Sequence, residues 1–229
     1  ADHAKVSIVS QALVGLGAVG VTQALIMPDM QQLGLKAHQR LGRDSGQRIP
    51  QIEVLDTPIT GKALDSTLAA AKMRERGVGS ILVLGGDGTA RAVSKGAGEV
   101  PLLCLSTGTN NVLPVFVEGT IAGMAAGAVA LGLVPRDKVA YRSKRLEVAL
   151  GNAALDTALV DAALLKSQFV GAGAVWDVSA IRQVWVTRAE PHNVGLTTIA
   201  ATQGLIGPRD LWGRWVTVSG PSEAGPLAV

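Results

Sequence analysis

Cysteine and aromatic side chains are scarce in this chain. Its 229 residues include one cysteine, Cys104, and only 3% aromatics. A single cysteine excludes an internal disulfide and fits a reducing compartment. So few rings require an aliphatic, alanine-rich core. Charge is also sparse: 17% of residues are charged, the net charge is +3, and the basic residues are scattered. No stripe interleaves Arg and Lys with aromatics, so a nucleic-acid partner is not expected. Long apolar runs are missing too. Val6 to Pro28 is broken by Ser7, Ser10, Gln11, Thr22 and Gln23. Gly119 to Pro135 falls short of the roughly 20 residues that span a bilayer. No small-residue cleavage pattern follows a basic leader. A soluble, cytoplasmic protein with no membrane partner is expected. His3, His38 and His192 are dispersed without metal-ligand spacing, so no metal-ligating residues are assigned.

What the chain does have is aliphatic side chains and glycine. Hydrophobic residues make up 48% and there are 28 glycines, so a packed core with many tight turns or close backbone contacts is expected. The periodicity predicts a helix over 3–16, a strand over 21–27, a short helix over 28–38 and a polar loop over 38–51. A strand over 52–55 and an Ala/Leu-rich helix over 63–76, stopped by Gly77, follow. Next come a strand over 80–84, a helix over 89–97 and a second buried strand over 101–105. Strands alternating with helices imply a parallel sheet with helices on both faces. Gly119 to Val134 reads as a nearly uncharged helix closed by Pro135, with Gly119, Gly123 and Gly127 permitting close packing. Beyond it, Arg136, Lys138, Arg142, Lys144 and Arg145 read as a solvated basic linker or as phosphate contacts. Strands are expected at 146–150 and 156–165, with breaks at Gly171-Ala172-Gly173 and Pro191. Trp176, Trp185, Trp212 and Trp215 are expected to fill a second core, and 219–229 reads as loop. The expected domains are residues 1–135, α/β, and 136–229, β-rich.

Two glycine strings compete for attention. Gly15-Leu16-Gly17-Ala18-Val19-Gly20 matches the dinucleotide string G-x-G-x-x-G, but a helix precedes it and a strand follows, the reverse of what that fingerprint needs. It reads as a turn. Gly61-Lys62 is not a phosphate-loop lysine, because the upstream glycine is missing. Gly85-Gly86-Asp87-Gly88-Thr89 is different. It sits between a buried strand and a helix, and its glycines let backbone amides approach an anion at the helix's positive end. A carboxylate, Asp87, is held in that frame. An anion cradle with a carboxylate suits chemistry in which a hydroxyl is oriented or deprotonated beside a phosphate. A second small, polar loop, Ser106 to Asn111, directly follows the next strand. Ligands in open α/β sheets sit outside the carboxyl ends of strands, so the two loops are expected to face one crevice.

These residues resemble the superfamily of NAD kinases, diacylglycerol and sphingosine kinases and phosphofructokinases. The shared mark is a strand-GGDGT-helix unit, here 85–89. Gly108-Thr109-Asn110-Asn111 is similar to the G-T-x-N stretch of the lipid-kinase branch. The chain looks closest to the acetoin-catabolism X (AcoX) proteins, grouped with ATP-NAD kinases. The resemblance implies an NAD-kinase-like fold: a parallel α/β nucleotide-binding domain followed by a β-rich domain. It implies ATP-dependent phosphoryl transfer with Mg²⁺ and a hydroxyl-bearing acceptor. Asp87 would be the catalytic acid/base residue. Gly85, Gly86, Gly88 and Thr89 would contact phosphates, and Gly108, Thr109, Asn110 and Asn111 would lie at the nucleotide. A homo-oligomer is expected. A strand and phosphate loop expected ahead of residue 5 are not in the chain, and the second domain is expected to be incomplete. The Asn-Glu pair of NAD kinases has its nearest counterpart in Ala158-Leu159-Val160-Asp161, which keeps an acid and loses the asparagine. The later NAD-kinase motif has no match. The acceptor therefore stays open, with NAD one candidate. A nucleotide-binding regulatory protein without kinase activity is the alternative, and a serine hydrolase ranks last because no G-x-S-x-G string occurs.

Overall fold

A computed structural model describes residues 2–42, 46–108, 110–166, 175, 177–193, 195–218 and 224–227. The breaks expected at 171–173 lie outside these, as do Thr109 and Trp176. The chain forms two compact units, one of Ala1–Thr109 with Leu113–Ala140 and one of Asn110–Val112 with Tyr141–Val229.

The first unit alternates helices and strands: α1 (Asp2–Ala18), β1 (Gln23–Ile26), α2 (Leu33–Leu41), β2 (Gln51–Val54), α3 (Ala63–Glu75), β3 (Ile81–Leu84), α4 (Asp87–Ala97), β4 (Leu102–Leu105), α5 (Gly119–Ala130) and α6 (Arg136–Val139). The expected parallel pairing is present. It takes the form of two two-stranded pairs, β1 with β2 from Gln23↔Gln51 to Ile26↔Val54, and β3 with β4 from Ile81↔Leu102 to Leu84↔Leu105.

Capping chemistry moves several boundaries. The helix predicted over 28–38 begins only at Leu33, because the Asp29 carboxylate accepts from the backbone N–H of Gln31 and Leu33 and holds the preceding residues in a turn. It runs on to Leu41, into the expected loop, because Leu41 and Ala37 bury their side chains beside Leu13 of α1. Helix α3 stops as predicted at a left-handed Gly77 (φ +72°), whose N–H donates to the Arg74 carbonyl. Helix α5 starts where the Glu118 carboxylate accepts from Ile121 N–H, and it ends at Ala130, short of the predicted Val134. Pro135 opens the one-turn α6 inside the expected linker, rather than closing α5.

Two apolar clusters hold this unit. Ala70 of α3, Ile81 and Val83 of β3, and Val93 and Ala97 of α4 form one. Full burial of each large aliphatic side chain there stabilises by about 1.5–3 kcal/mol. Leu13, Ala37 and Leu41 form the other, beside Ala24 of β1 and Ile52 of β2. Helices α1 and α5 pack through glycine. A Cβ on Gly123 would stand 2.1 Å from the Ala12 carbonyl oxygen, and one on Gly15 would stand 2.0 Å from that of Thr120. No other residue permits so close an approach of two helix backbones. Among the described residues no helix is long and apolar enough to cross a membrane.

The second unit is β-rich: β5 (Leu146–Leu150), β6 (Ala153–Ala158), β7 (Asp161–Leu165), β8 (Ile181–Val186), α7 (Leu196–Ala201), β9 (Gly213–Thr217) and β10 (Ala224–Leu227). Strands β5 and β6 form a hairpin turning at Gly151 (φ +58°), and β10-β9-β8-β7 form an antiparallel sheet. The single strand predicted over 156–165 is therefore two strands, parted at Leu159-Val160. The predicted terminal loop contains β10, because Ala224 to Leu227 pair with Val216 to Gly213. Ile181, Val184, Val186, Ala189, Ala200, Ile206 and Val216 make the core. Trp212 packs against it, but Trp185 and Trp215 do not fill it as predicted. They stand opposite each other across β8 and β9, between residues whose side chains face the core, so strand alternation turns the two rings to the other face.

Candidate functional site

The Gly85–Thr89 segment is built at the end of β3. Gly85 N–H donates to the Leu105 carbonyl at 3.0 Å, which extends the β3–β4 ladder by one step. Gly86 is the N-cap of α4, and Asp87, Gly88 and Thr89 form its first turn, two residues earlier than predicted. The Gly86 carbonyl accepts from both Thr89 and Ala90 N–H at 3.0 Å. The helix therefore aims its N-terminal end, with its partial positive charge, outward from this loop.

Each side chain has a distinct place. Gly85 is required for packing, since an added Cβ would lie 2.5 Å from Thr89 Oγ1. Thr89 thus lies over Gly85. Around Gly88 an added Cβ would meet nothing, and the residue is exposed. Asp87 is half-buried, and its Oδ1 accepts from Leu113 N–H at 2.8 Å. That bond ties the first turn of α4 to the end of the second loop, across a separation of 26 residues. The Asp87 charge reaches further. Burial pushes the half-buried Cys104 thiol on β4 up to about 11, and the nearby Asp87 carboxylate adds to the rise.

The second loop is closed on itself. Ser106 is buried, its Oγ donates to the Gly108 carbonyl at 2.8 Å, and its N–H donates to Val115. Val115 N–H donates back to Cys104, so this segment adds a short parallel bridge beside β4. Hydrogen bonds thus tie Gly85 to Leu105 and Asp87 to Leu113. Thr109 lies outside the described residues. Asn110 and Asn111 fall in the stretch that groups with the second unit.

One feature was missed from sequence. A cavity of about 270 Å³ opens beyond β1 and β2, lined among others by Met27, Asp29, Met30, Ile59, Lys62 and Asp65. Asp65 is buried, 4% exposed, and accepts from Thr60 N–H, Thr60 Oγ1 and Gly61 N–H. The Thr60 hydroxyl bond leads the causes that hold its carboxyl below the usual range. Gln32, at the edge of this loop, is left-handed (φ 53°), the one such non-glycine residue among those described. A Thr-x-x-x-x-Asp spacing just ahead of a helix was the available signal. The basic linker is not one patch. Arg136 donates to the Glu99 carbonyl, Lys144 to those of Gly207 and Trp212, and Arg145 pairs with Glu147 at 2.7 Å.

The family model for the ATP-NAD kinase N-terminal domain matches residues 30–132, and that for the acetoin catabolism protein X C-terminal domain matches residues 144–229. The chain thus matches an ATP-NAD kinase-type domain in its first part and an acetoin catabolism protein X-type domain in its second. Acetoin catabolism protein X of Cupriavidus necator is 38% identical over 225 residues, which are 96% of this chain and 63% of that protein. The chain thus spans less than two thirds of the length of this AcoX relative. No solved structure matches. The fold class expected from the motif stands: an NAD-kinase-type N-terminal domain, mixed α/β, with a β-rich C-terminal region. The match over residues 30–132 makes that part of the chain NAD-kinase-like.

Proposed function

We propose that this chain carries out ATP-dependent phosphoryl transfer to a hydroxyl-bearing acceptor. The observation that carries the reading is the Asp87 carboxylate in the first turn of α4, at the open end of a glycine-lined strand-to-helix junction. The α4 amides and the bare Gly88 backbone would receive the phosphates. Asp87 would accept or orient the proton of the incoming hydroxyl, and its bond from Leu113 N–H would fix the carboxylate's direction. Gly108, Thr109, Asn110 and Asn111 would contact the nucleotide. Positioning and electrostatics carry most of the barrier reduction in such reactions. Among the described residues no three His, Cys, Asp or Glu side chains group as a metal cage. Mg²⁺ would be carried on the nucleotide phosphates, with at most one or two protein carboxylates, where it would neutralise phosphate charge. NAD, diacylglycerol and sugars are the acceptor candidates, and a homo-oligomeric cytoplasmic enzyme is the working form.

A second reading has its own support. Asp87 already accepts a backbone hydrogen bond, as a carboxylate kept for structure would. A nucleotide-binding regulatory protein fits that observation. An ADP-release assay across those three acceptor classes separates the two. The kinase reading expects release with at least one acceptor, and a fall of roughly 100-fold or more in Asp87→Asn with ATP binding retained. Asn keeps an oxygen for Leu113, so near-normal turnover in that variant would remove Asp87 from the chemistry. ATP binding without ADP release from any acceptor favours the regulatory reading.

A further inference from the structure

Among the described residues of the second unit, two buried side-chain donors have no acceptor. Arg188 is 5% exposed, and its Nε has no hydrogen-bond partner. Its Nη2 meets only Ser143 Oγ, at 3.5 Å, the outer limit for such a bond. Asn193 is 8% exposed, and its Nδ2 has no partner. Burying a guanidinium with so little compensation is costly, and native proteins rarely leave one so unless something else supplies the oxygens.

The backbone around both groups is held firmly. Thr187 Oγ1 donates to the Leu159 carbonyl at 2.8 Å, and Ala189 exchanges both backbone bonds with Ile206. Asn193 N–H donates to Glu190, and its carbonyl accepts from Thr198 Oγ1. Neither side chain is on a segment that can readily swing to find a partner. A third donor stands next to Ser143. Lys144 Nζ is bound to the Gly207 and Trp212 carbonyls, and the Arg188 charge is among the influences on it, so the two cations share a neighbourhood. Two acids, Asp210 and Glu190, act on Lys144 from the same surroundings. Asp210 Oδ2 is taken by Gly207 N–H, and no carboxylate pairs with Arg188 among the described residues.

The missing partner is therefore an acceptor with negative charge. The Nε–Nη2 edge of a guanidinium presents two parallel N–H groups that match two oxygens of one carboxylate or phosphate. Ser143, at the end of that edge, is exposed, so the buried cation is approached from the surface there. We propose that Arg188 anchors a binding site for one anionic oxygen group, phosphate or carboxylate, of a small ligand, with Asn193 as a further donor. This site lies in the β-rich unit and does not depend on the phosphoryl-transfer reading.

The test uses the full chain, titrated with sodium phosphate and with sodium acetate against sodium chloride at matched ionic strength. Thermal midpoints and the Arg188 Nε–H resonance are followed. The proposal expects a saturable shift of that resonance with phosphate, acetate or both, and the responding ion tells which group the site takes. Ser143→Asp places a carboxylate within reach of Nη2, at an exposed position that folding tolerates. It should raise the midpoint without added ion and weaken the ion response at least about tenfold. Arg188→Lys keeps the charge, loses the fork and should weaken it similarly. A resonance that moves no more than in chloride overturns the proposal, because a buried water then satisfies Nε. A phosphate response unchanged in Ser143→Asp also overturns it, since that anion binds elsewhere.

Discussion

Two glycine-rich stretches of the first unit, Gly15–Gly20 and Gly85–Thr89, look alike in composition and do opposite things. In the first, Gly15 and Gly17 are inside α1, and the missing side chains admit other backbones: the Thr120 carbonyl against Gly15 and the Arg48 carbonyl against Gly17. In the second, Gly86 caps a helix and Gly88 faces open space. In the first stretch the two helical glycines serve packing and only Gly20, in the turn after α1, is uncovered; in the second the uncovered glycine, Gly88, is in the first turn of a helix. The difference teaches that a glycine string is read by its place on the helix: glycines at the end of a helix admit neighbouring backbones, and glycines at the start of one leave its first amides open.

Substitutions can break or sharpen that contrast. The largest effect is expected in the packing helices. Gly123→Ala, on the α5 side of the seam, forces a methyl to within 2.1 Å of the Ala12 carbonyl, which backbone cannot yield cheaply. A loss of about 3 kcal/mol in urea unfolding is expected, with ligand binding by the folded fraction unchanged. Next comes the shared background of the two loops, the Cys104 thiol. Its ordinary value is 9.0, and the fold raises it to about 11. Between those values the unfolded chain loses a proton that the folded chain keeps, so stability falls as pH rises. About 2 kcal/mol should disappear between pH 9 and 11, and a Cys104→Ala chain should lack that component of the loss when both are unfolded across the range.

Smaller effects belong to the cradle itself. Gly85→Ala meets Thr89 Oγ1 at 2.5 Å, which can rotate away, and Thr89 Cβ at 2.7 Å, which moves only with the first turn of α4. A loss of about 1–2 kcal/mol is expected, read as a lowered urea midpoint. Gly88→Ala should be the mildest for stability. Its methyl enters open space in a helical first turn, so folding should be unchanged or improved by up to about 1 kcal/mol. If the first turn of α4 receives phosphates, the same methyl should weaken ATP binding by calorimetry. A Gly88→Ala chain that binds ATP as the parent does would erase the proposed difference between the two stretches.

How much could be read in advance varied with the range of the interaction. The β3–α4 junction was legible, because apolar residues 80–84 followed by glycines and a carboxylate encode strand, turn and helix start within one short window. Its helix was read two residues late, since Asp87 and Gly88 are poor interior formers and only the Gly86 cap shows that the turn has already begun. The boundary of α2 was missed because Asp29 was read as a helical residue when its carboxylate serves the following amides. Strand β10 was missed because its Gly225-Pro226 reads as loop, and only pairing with β9 makes it a strand. The cavity beside Asp65 was not read either. Its walls come from two segments, 27–33 and 59–65, each a loop running into the start of a helix, that no local pattern connects.

By itself, the sequence determined the αβ alternation of the first unit, the β-rich character of the second and the GGDGT frame with its carboxylate. Those depend on periodicity and on turn chemistry, which act over a few residues. Tertiary structure alone decided that Asp87 holds Leu113, that Gly15 and Gly123 seat neighbouring backbones and that Arg188 is buried without a counter-ion. Each of these depends on which distant atoms arrive next to a residue. Hydrogen bonding, steric exclusion and desolvation are set by those neighbours.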